Sequence, residues 1–341
     1  MELTLRGKTG DCRIVLGDCP THLPALCGQR RVVAVTDANV RRLHRAAFPQ
    51  AEVIEIGLGE ANKTLETVFG LYERFLELGL DRNALVVGIG GGIVCDVAAY
   101  AAATWLRGLD TGLVPTTVLA QADAGIGGKN GVNFRGLKNQ VGTIRQPRFV
   151  LCDPAFLKTL PEAEVRNGFA EVVKAGAIAD AALWDLLEAK AEAVLALEPD
   201  SLSRAMSAAL AVKHRVVEAD ELETGLRRTL NFGHTVGHAW EALLGVRHGE
   251  AVSAGMVFAA RLSEQRGRLA AGQADRLERL LQRFGLPTRL QADPDAVLEA
   301  VGSDKKRAGD SVHVVLLERI GRAVVEPVPL TELSRALSSC S

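Results

Sequence analysis

Short apolar runs at residues 31–36, 52–56, 84–90 (Ala-Leu-Val-Val-Gly-Ile-Gly) and 111–114 alternate with helical patterns, notably over 63–79 and 93–106. Alternation of this kind predicts a parallel sheet with helices on its faces. After Asp153-Pro154 the pattern changes. From Pro161 to about Phe284 nearly everything has helical period, broken at Gly225, Gly233, Gly245 and Gly285. Two late runs, Val312–Leu317 and Ala323–Val325, predict a hairpin around Ile320-Gly321. The chain therefore reads as an α/β domain over residues 1–155 and a mostly α-helical domain over residues 156–341. No low-complexity tether joins them, so a cleft between the two is the expected place for a site.

Composition removes several function classes. Lys plus Arg number 40 against 41 Asp plus Glu, a net charge of −1 that offers no basic field for a phosphate backbone. Aromatics at 4% are too few for a base-stacking platform. The apolar stretch near Val97 to Leu106 falls far below the ~18 residues of a membrane span. The start, MELTLRGKTGDCR, has no apolar signal core, and a soluble cytoplasmic protein is expected. Six cysteines lie scattered with no C-x-x-C pair, which points to buried reduced thiols. Only 10 of the 40 basic residues are Lys, and seven of these (Lys63, Lys129, Lys138, Lys174, Lys213, Lys305, Lys306) lie in or beside the unusual segments that follow. A compact ammonium is not interchangeable with a guanidinium, so these positions hint at chemistry.

Gly88-Ile89-Gly90-Gly91-Gly92 follows a predicted strand and opens a helix, a setting in which backbone N–H groups can hold a phosphate. It is not G-x-G-x-x-G. Gly125-Ile126-Gly127-Gly128-Lys129 resembles a P-loop but has Asp123 where the first Gly belongs and Asn130 where Ser or Thr should bind magnesium. Either loop alone is more often a tight turn, whereas two in one α/β half favour a nucleotide site. His234, His238 and His248 are three of only seven histidines, and they fall within 15 residues. One such histidine alone is more often a hydrogen-bonded core residue, but the cluster favours a divalent metal. An open zinc site needs three protein ligands, and spacing does not choose them. Glu171 and Lys174 would face the same way on a helix, and their small, apolar neighbours suggest a buried acid that could add an oxygen ligand. Asp123, Lys129, Lys138, Asn139 and Arg107, with Lys213, Arg227 and Lys305-Lys306, would make a positive pocket in a neutral protein. Such a pocket implies a small anionic substrate carrying phosphate or carboxylate.

These residues together resemble the 3-dehydroquinate synthase family of sugar-phosphate cyclases. The likeness runs from about Asp37 to Lys306 and keeps the order and spacing of many motifs. It includes Gly59-Glu60-Ala61-Asn62-Lys63, Gly90-Gly91-Gly92 with Asp96, Val114-Pro115-Thr116-Thr117 and Gly127-Gly128-Lys129. It continues through Lys138-Asn139, Thr159-Leu160-Pro161, Ala170-Glu171-Val172-Val173-Lys174, Arg227 with Asn231, the histidine stretch, His248-Gly249-Glu250 and Asp304-Lys305-Lys306.

The resemblance implies an N-terminal Rossmann-like NAD-binding domain and a C-terminal helical domain holding the metal, zinc or cobalt. It implies metal ligands at Glu171, His234 and His248, with His238 at the substrate phosphate instead. Asp37, Asn39, Glu60, Lys63, Gly90, Gly91, Gly92, Asp96, Thr116, Thr117, Lys138 and Thr159 match cofactor positions. Asp123, Lys174, Lys213, Asn231 and His238 match catalytic positions; Lys129, Asn139, Arg227 and a lysine of the 305–306 pair match substrate contacts. Arg107 matches an arginine offered across a homodimer interface. The implied reaction takes 3-deoxy-D-arabino-heptulosonate 7-phosphate through transient NAD-dependent oxidation, phosphate elimination, reduction, ring opening and aldol closure to 3-dehydroquinate, a step of the shikimate pathway to aromatic amino acids. The chain departs from the family pattern at Ala124-Gly125, Asn130 and Phe134-Arg135-Gly136-Leu137, beside the implied phosphate contacts. The alternatives are a related cyclase acting on an amino analogue (an aminodehydroquinate synthase) and a metal-dependent polyol dehydrogenase.

Overall fold

In the computed structural model, which describes residues 1–302, 307–308 and 310–339, the chain opens with a hairpin, β1 (Glu2–Gly7) and β2 (Gly10–Leu16), followed by α1 (Cys19–Cys27). The four apolar runs then become β3 (Val32–Asp37), β4 (Glu52–Ile56), β5 (Leu85–Gly90) and β6 (Asp110–Pro115). Between them run α2 (Ala38–Leu43), α3 (Leu65–Glu77) and α4 (Gly92–Thr104). A second hairpin, β7 (Lys129–Phe134) and β8 (Leu137–Ile144), precedes β9 (Phe149–Cys152). Seven strands form one sheet in the order β1-β2-β9-β6-β5-β3-β4, parallel throughout except for β1 against β2.

Every residue of β5 is buried, which accounts for its unbroken apolar run: a parallel strand covered on both faces has no polar side to show. Val33, Val35, Val86, Leu71 and Phe75 share one core cluster, and Ala34, Val87, Val114 and Leu151 share another. The sheet side chains alternate between two apolar layers. The five cysteines that are described are all free and buried.

Two compact units emerge, Met1–Pro161 with Lys213–Leu222, and Glu162–Val212 with Glu223–Ser341. Contacts thus divide the chain at Pro161 and assign a ten-residue return segment to the first unit, a feature that no composition shift announces. The second unit is built from α5 (Glu162–Ala179), α6 (Ala181–Leu195), most of α7 (Pro199–Ala219), α8 (His234–Leu244), α9 (His248–Gln265), α10 (Gln273–Arg283) and α11 (Pro294–Gly302). The short β10 (Arg307–Ala308) pairs with the expected late hairpin, β11 (Ser311–Arg319) and β12 (Arg322–Pro329), and α12 (Leu330–Ser339) ends the described chain. Val236, Trp240, Phe258, Leu262, Val314, Leu316 and Leu333 form its core. No described helix is long and apolar enough to cross a membrane.

Within the first unit, Glu221 fastens the β1–β2 turn. Its carboxylate accepts from Lys8 N (2.6 Å), Thr9 Oγ1 (2.5 Å) and Gln146 Nε2 (2.9 Å). Burial resists its ionisation, but these donors prevail and hold its pKa below the usual carboxylate value. A depressed folded pKa gives stability that is present above the unfolded value of about 4.3 and is lost as pH falls through the folded pKa. Glu221→Gln should therefore flatten the acid limb of a melting-temperature profile below about pH 4 and raise amide exchange in the β1–β2 turn; an unchanged acid limb would remove Glu221 from that role.

Candidate active site

Three helices of the second unit bring the histidine cluster and the Glu171 motif together. Glu171 and Lys174 lie on α5, while His234 and His248 are the first residues of α8 and α9. The approach of α9 to α5 depends on Gly249. A Cβ there would sit 1.9 Å from the Asn167 carbonyl oxygen, and the Gly249 N–H donates to Asn167 Oδ1 at 2.5 Å. One turn beyond Asn167 on α5, Glu171 then meets both histidines. His248 Nε2 is 3.1 Å and His234 Nε2 3.4 Å from Glu171 Oε1, and the three ligand atoms lie within 4.8 Å of one another. The His238 ring lies 5.1 Å from that of His234, and a second grouping joins His238, Glu241 and His248.

The electrostatics follow from burial. Glu171 and Lys174 side chains are 0% and 2% exposed, and Lys174 Nζ pairs with Glu171 Oε2. Burial works against the Glu171 charge, but the Lys174 ammonium and the two imidazoles overcome it and hold the carboxyl well below the usual range. Burial, then the Lys174 charge, lowers the His234 pKa. His248 is the opposite case: burial is outweighed by its hydrogen bonds to Glu171 and Glu241, which raise it to about 9.

Orientation decides what this cluster can hold. The Phe232 carbonyl, 3.0 Å from His234 Nδ1, only accepts, so Nδ1 carries the proton of a neutral His234. Its Nε2 therefore turns a lone pair toward a carboxylate oxygen. Two acceptors face one another, an arrangement that a cation between them satisfies, and an oxygen with two imidazole nitrogens is a fitting donor set for zinc or cobalt. The proton on His248 and a dication answer the same negative potential, so metal uptake would release that proton.

In the first unit, the carboxyl ends of the parallel strands line up at one edge of the sheet. Asp37 ends β3, the Gly59-Glu60 loop follows β4, Gly90 ends β5, Thr116-Thr117 follow β6, and Thr159 follows β9. The order reverses beside β3, whose sequence neighbours β4 and β5 lie on its two sides, and ligands of open α/β sheets bind at such a switch point. Gly91 caps α4 with no side-chain hydrogen bond, leaving the first-turn N–H groups for a ligand. A Cβ on Gly90 would come within 2.6 Å of Val94, so glycine lets β5 turn directly into the helix.

Two family models match successive parts of the chain, meeting within α5. Residues 53–167 match the 3-dehydroquinate synthase N-terminal family and residues 168–307 the 3-dehydroquinate synthase C-terminal family. The chain is 45% identical over 324 residues to the 3-dehydroquinate synthase of Halorhodospira halophila, covering 93% of this chain and 90% of that one. It belongs to the 3-dehydroquinate synthase family. Among solved structures, the 2-epi-5-epi-valiolone synthase of Streptomyces hygroscopicus, with NAD⁺ and Zn²⁺ bound, superposes with a TM-score of 0.89 at 30% identity over 98% of both chains. A 2-deoxy-scyllo-inosose synthase complexed with carbaglucose-6-phosphate, NAD⁺ and Co²⁺ gives 0.88 at 25% identity over 100% of both.

The residues expected from the 3-dehydroquinate synthase pattern group as follows. Lys63 Nζ donates to Asp96 Oδ2 (2.6 Å) and Asn139 Oδ1 (2.5 Å), so Asn139, expected at the substrate, joins two residues expected at the cofactor. It lies near the turn of the β7–β8 hairpin, whereas Lys129 opens that hairpin beside Ile144. Lys138 is exposed next to Asn139, and Asn39 is exposed on α2. Asp123 pairs with Lys213 within the first unit. Thr159 Oγ1 is 2.8 Å from His44 Nε2, and Asp37 caps α2 through Val40 N. In the second unit Asn231 Nδ2 donates to Glu223 Oε1 (2.7 Å), and Arg227 is fully buried. Arg107 is exposed, with Leu106 and Arg107 both at positive φ, 49° and 67°, a strained backbone for non-glycine residues. Lys305 and Lys306 lie outside the described residues.

Three polar residues escaped the sequence reading. Asn133 donates through Nδ2 to Glu60 Oε1 (2.7 Å) and accepts from Asn139 N (2.9 Å), tying the cofactor-side loop to the hairpin. Asn167 holds α9, and Glu241 faces His248 Nδ1 at 3.1 Å. Lone polar residues in helical or strand patterns carry no signal of their own; Glu241 alone had one, as a carboxylate three residues after His238. Gly249→Ala should force α9 off α5 and lower the melting temperature by the equivalent of about 2 kcal/mol or more. A wild-type melting temperature would show that the close approach is not needed.

Proposed function

We propose that this chain converts 3-deoxy-D-arabino-heptulosonate 7-phosphate to 3-dehydroquinate and inorganic phosphate, using NAD and a divalent metal, as a phosphate-eliminating lyase of the shikimate pathway. Family membership supports the reaction, and the observation that carries the metal requirement is the convergence of His234 Nε2 and His248 Nε2 on one oxygen of Glu171. Glu171, His234 and His248 would hold zinc or cobalt, which supplies Lewis acidity toward substrate hydroxyls. Asp37, Asn39, Glu60, Lys63, Asp96, Thr116, Thr117, Lys138, Thr159 and the Gly90–Gly92 turn would hold NAD, which supplies a reversible hydride acceptor.

The other residues act by placement and charge. Lys174 keeps Glu171 ionised, and with Lys213 and Asn231 it orients the hydroxyl and carboxylate groups of the substrate. Asp123 pairs with Lys213 and keeps that ammonium in place. Lys129, Asn139 and His238 grip the phosphate, where positive charge and hydrogen-bond donors stabilise the leaving group as it gains charge. Arg227 and a lysine of the 305–306 pair add substrate contacts. The chain acts as a cytoplasmic homodimer in which Arg107, exposed on its strained turn, serves the partner's site.

Two of the three departures that raise the amino-analogue reading sit inside the β7–β8 hairpin, and Ala124-Gly125 is the third. Asn130 is buried; its Nδ2 donates to the Gly128 carbonyl at 3.1 Å, and its Oδ1 accepts from Thr143 Oγ1. This departure is absorbed inside the hairpin base. Arg135 and Gly136, both at positive φ, make the two-residue hairpin turn, so that departure is one of turn chemistry.

Mixing the protein with the heptulosonate phosphate and NAD⁺ should release phosphate with no lasting NADH absorbance, and a chelator should stop the release. Net NADH accumulation on a polyol would instead indicate a dehydrogenase. His248→Ala should lose bound metal, and Lys174→Ala should retain metal and NAD but lose turnover. Arg107→Ala mixed with an inactive Lys174→Ala chain should recover activity in hybrid dimers. No recovery would assign Arg107 to its own chain's site or to none.

A further inference from the structure

The two candidate histidine ligands are oriented by different groups. His234 Nδ1 meets the neutral Phe232 carbonyl at 3.0 Å, whereas His248 Nδ1 meets the Glu241 carboxylate Oε2 at 3.1 Å. Glu241 follows His234 by seven residues, two turns along the same helix, so α8 offers a ligand from its first residue and the partner of the other ligand from its last turn. The position is unfavourable for a carboxylate. Its side chain is 8% exposed, and an anion near a helix C-terminus faces the negative end of the macrodipole. A carboxylate buried there needs hydrogen-bond donors, and the neighbouring His248 imidazole supplies one through Nδ1.

Resting on the metal reading above, we propose that Glu241 is a positioning residue for the metal site: its carboxylate takes the Nδ1–H of His248 and so turns the Nε2 lone pair toward the point shared with His234 and Glu171. An anionic acceptor at Nδ1 fixes ring rotation and tautomer and makes Nε2 a stronger donor than the carbonyl-backed His234. The His238–Glu241–His248 grouping offers a rival role in which Glu241 itself ligates an ion. The contact of His248 Nε2 with Glu171 favours the positioning role, because it commits the ligating nitrogen to the other grouping.

The test is competition of Zn²⁺ between a chromophoric chelator and wild-type protein, Glu241→Ala, Glu241→Gln or His238→Ala, with Co²⁺-loaded samples examined by proton NMR. Glu241→Ala should weaken metal binding about 10- to 100-fold. Glu241→Gln should recover part of that loss, since its amide oxygen still accepts from Nδ1–H. The paramagnetically shifted, exchangeable Nδ1–H signal of His248 should vanish selectively in Glu241→Ala and persist in Glu241→Gln, a change that a merely structural role would not produce. Wild-type affinity and both imidazole signals in Glu241→Ala would overturn the proposal, as would two ions per chain or an equal loss in His238→Ala. Wild-type protein that takes up no ion would overturn the metal reading itself, and the positioning role with it.

Discussion

An ionised carboxylate buried to zero exposure sets the terms for the second unit. Glu171 keeps its charge inside a helical core because the Lys174 ammonium and the protonated His248 stand against it. Removing the compensation from such a charge costs about 3–5 kcal/mol. The core is thus organised around a need for positive charge, and the rest of the local architecture serves to deliver it. Helix starts at His234 and His248 place both rings at the head of a helix, and Gly249 lets α9 come close enough for the second ring to arrive. A helix N-terminus disfavours a protonated imidazole, in keeping with the lowered pKa of His234, whereas His248 keeps its proton through its hydrogen bonds to Glu171 and Glu241.

The first unit solves a different problem with different means. Its ligand-facing edge is made by ending five parallel strands on one side of the sheet, so short loops from distant parts of the sequence line up. Charge there is also paired: Lys63 with Asp96, and Lys213 with Asp123. For Asp96 burial dominates and raises its pKa against the pull of Lys63. Asn133 and Asn139 join that network to the β7–β8 hairpin, so the loop after β4 and the hairpin behave as one hydrogen-bonded piece.

Legibility in the sequence tracked local pattern. The strands β3 to β6 stood out because buried parallel strands are continuous apolar runs, and α3 and α4 because their apolar positions recur with helical period. The β1–β2 hairpin, β8 and α12 did not stand out. The residues of β8 are mostly exposed, with no apolar alternation to mark them, and β1 shows only one buried residue. At the site, the helical spacing of Glu171 and Lys174 was enough to place them on one face. Spacing within 234–248 could not choose between His234 and His238, since residues four apart share a helix face; the resemblance made that choice, and the folded chain brings His234 and His248 to Glu171.

The sequence by itself determined the alternation that makes an α/β unit, the change to helix after Asp153-Pro154, and the supply of histidines, acids and lysines. Those are local or compositional properties, and each residue carries them without reference to the rest of the chain. Only the tertiary structure decided that Asn167 would receive α9, that Glu241 would face His248 Nδ1, and that Asn139 would turn to Lys63. Such pairings depend on helix approach and hairpin register to within about an ångström, and no single stretch of sequence encodes that distance.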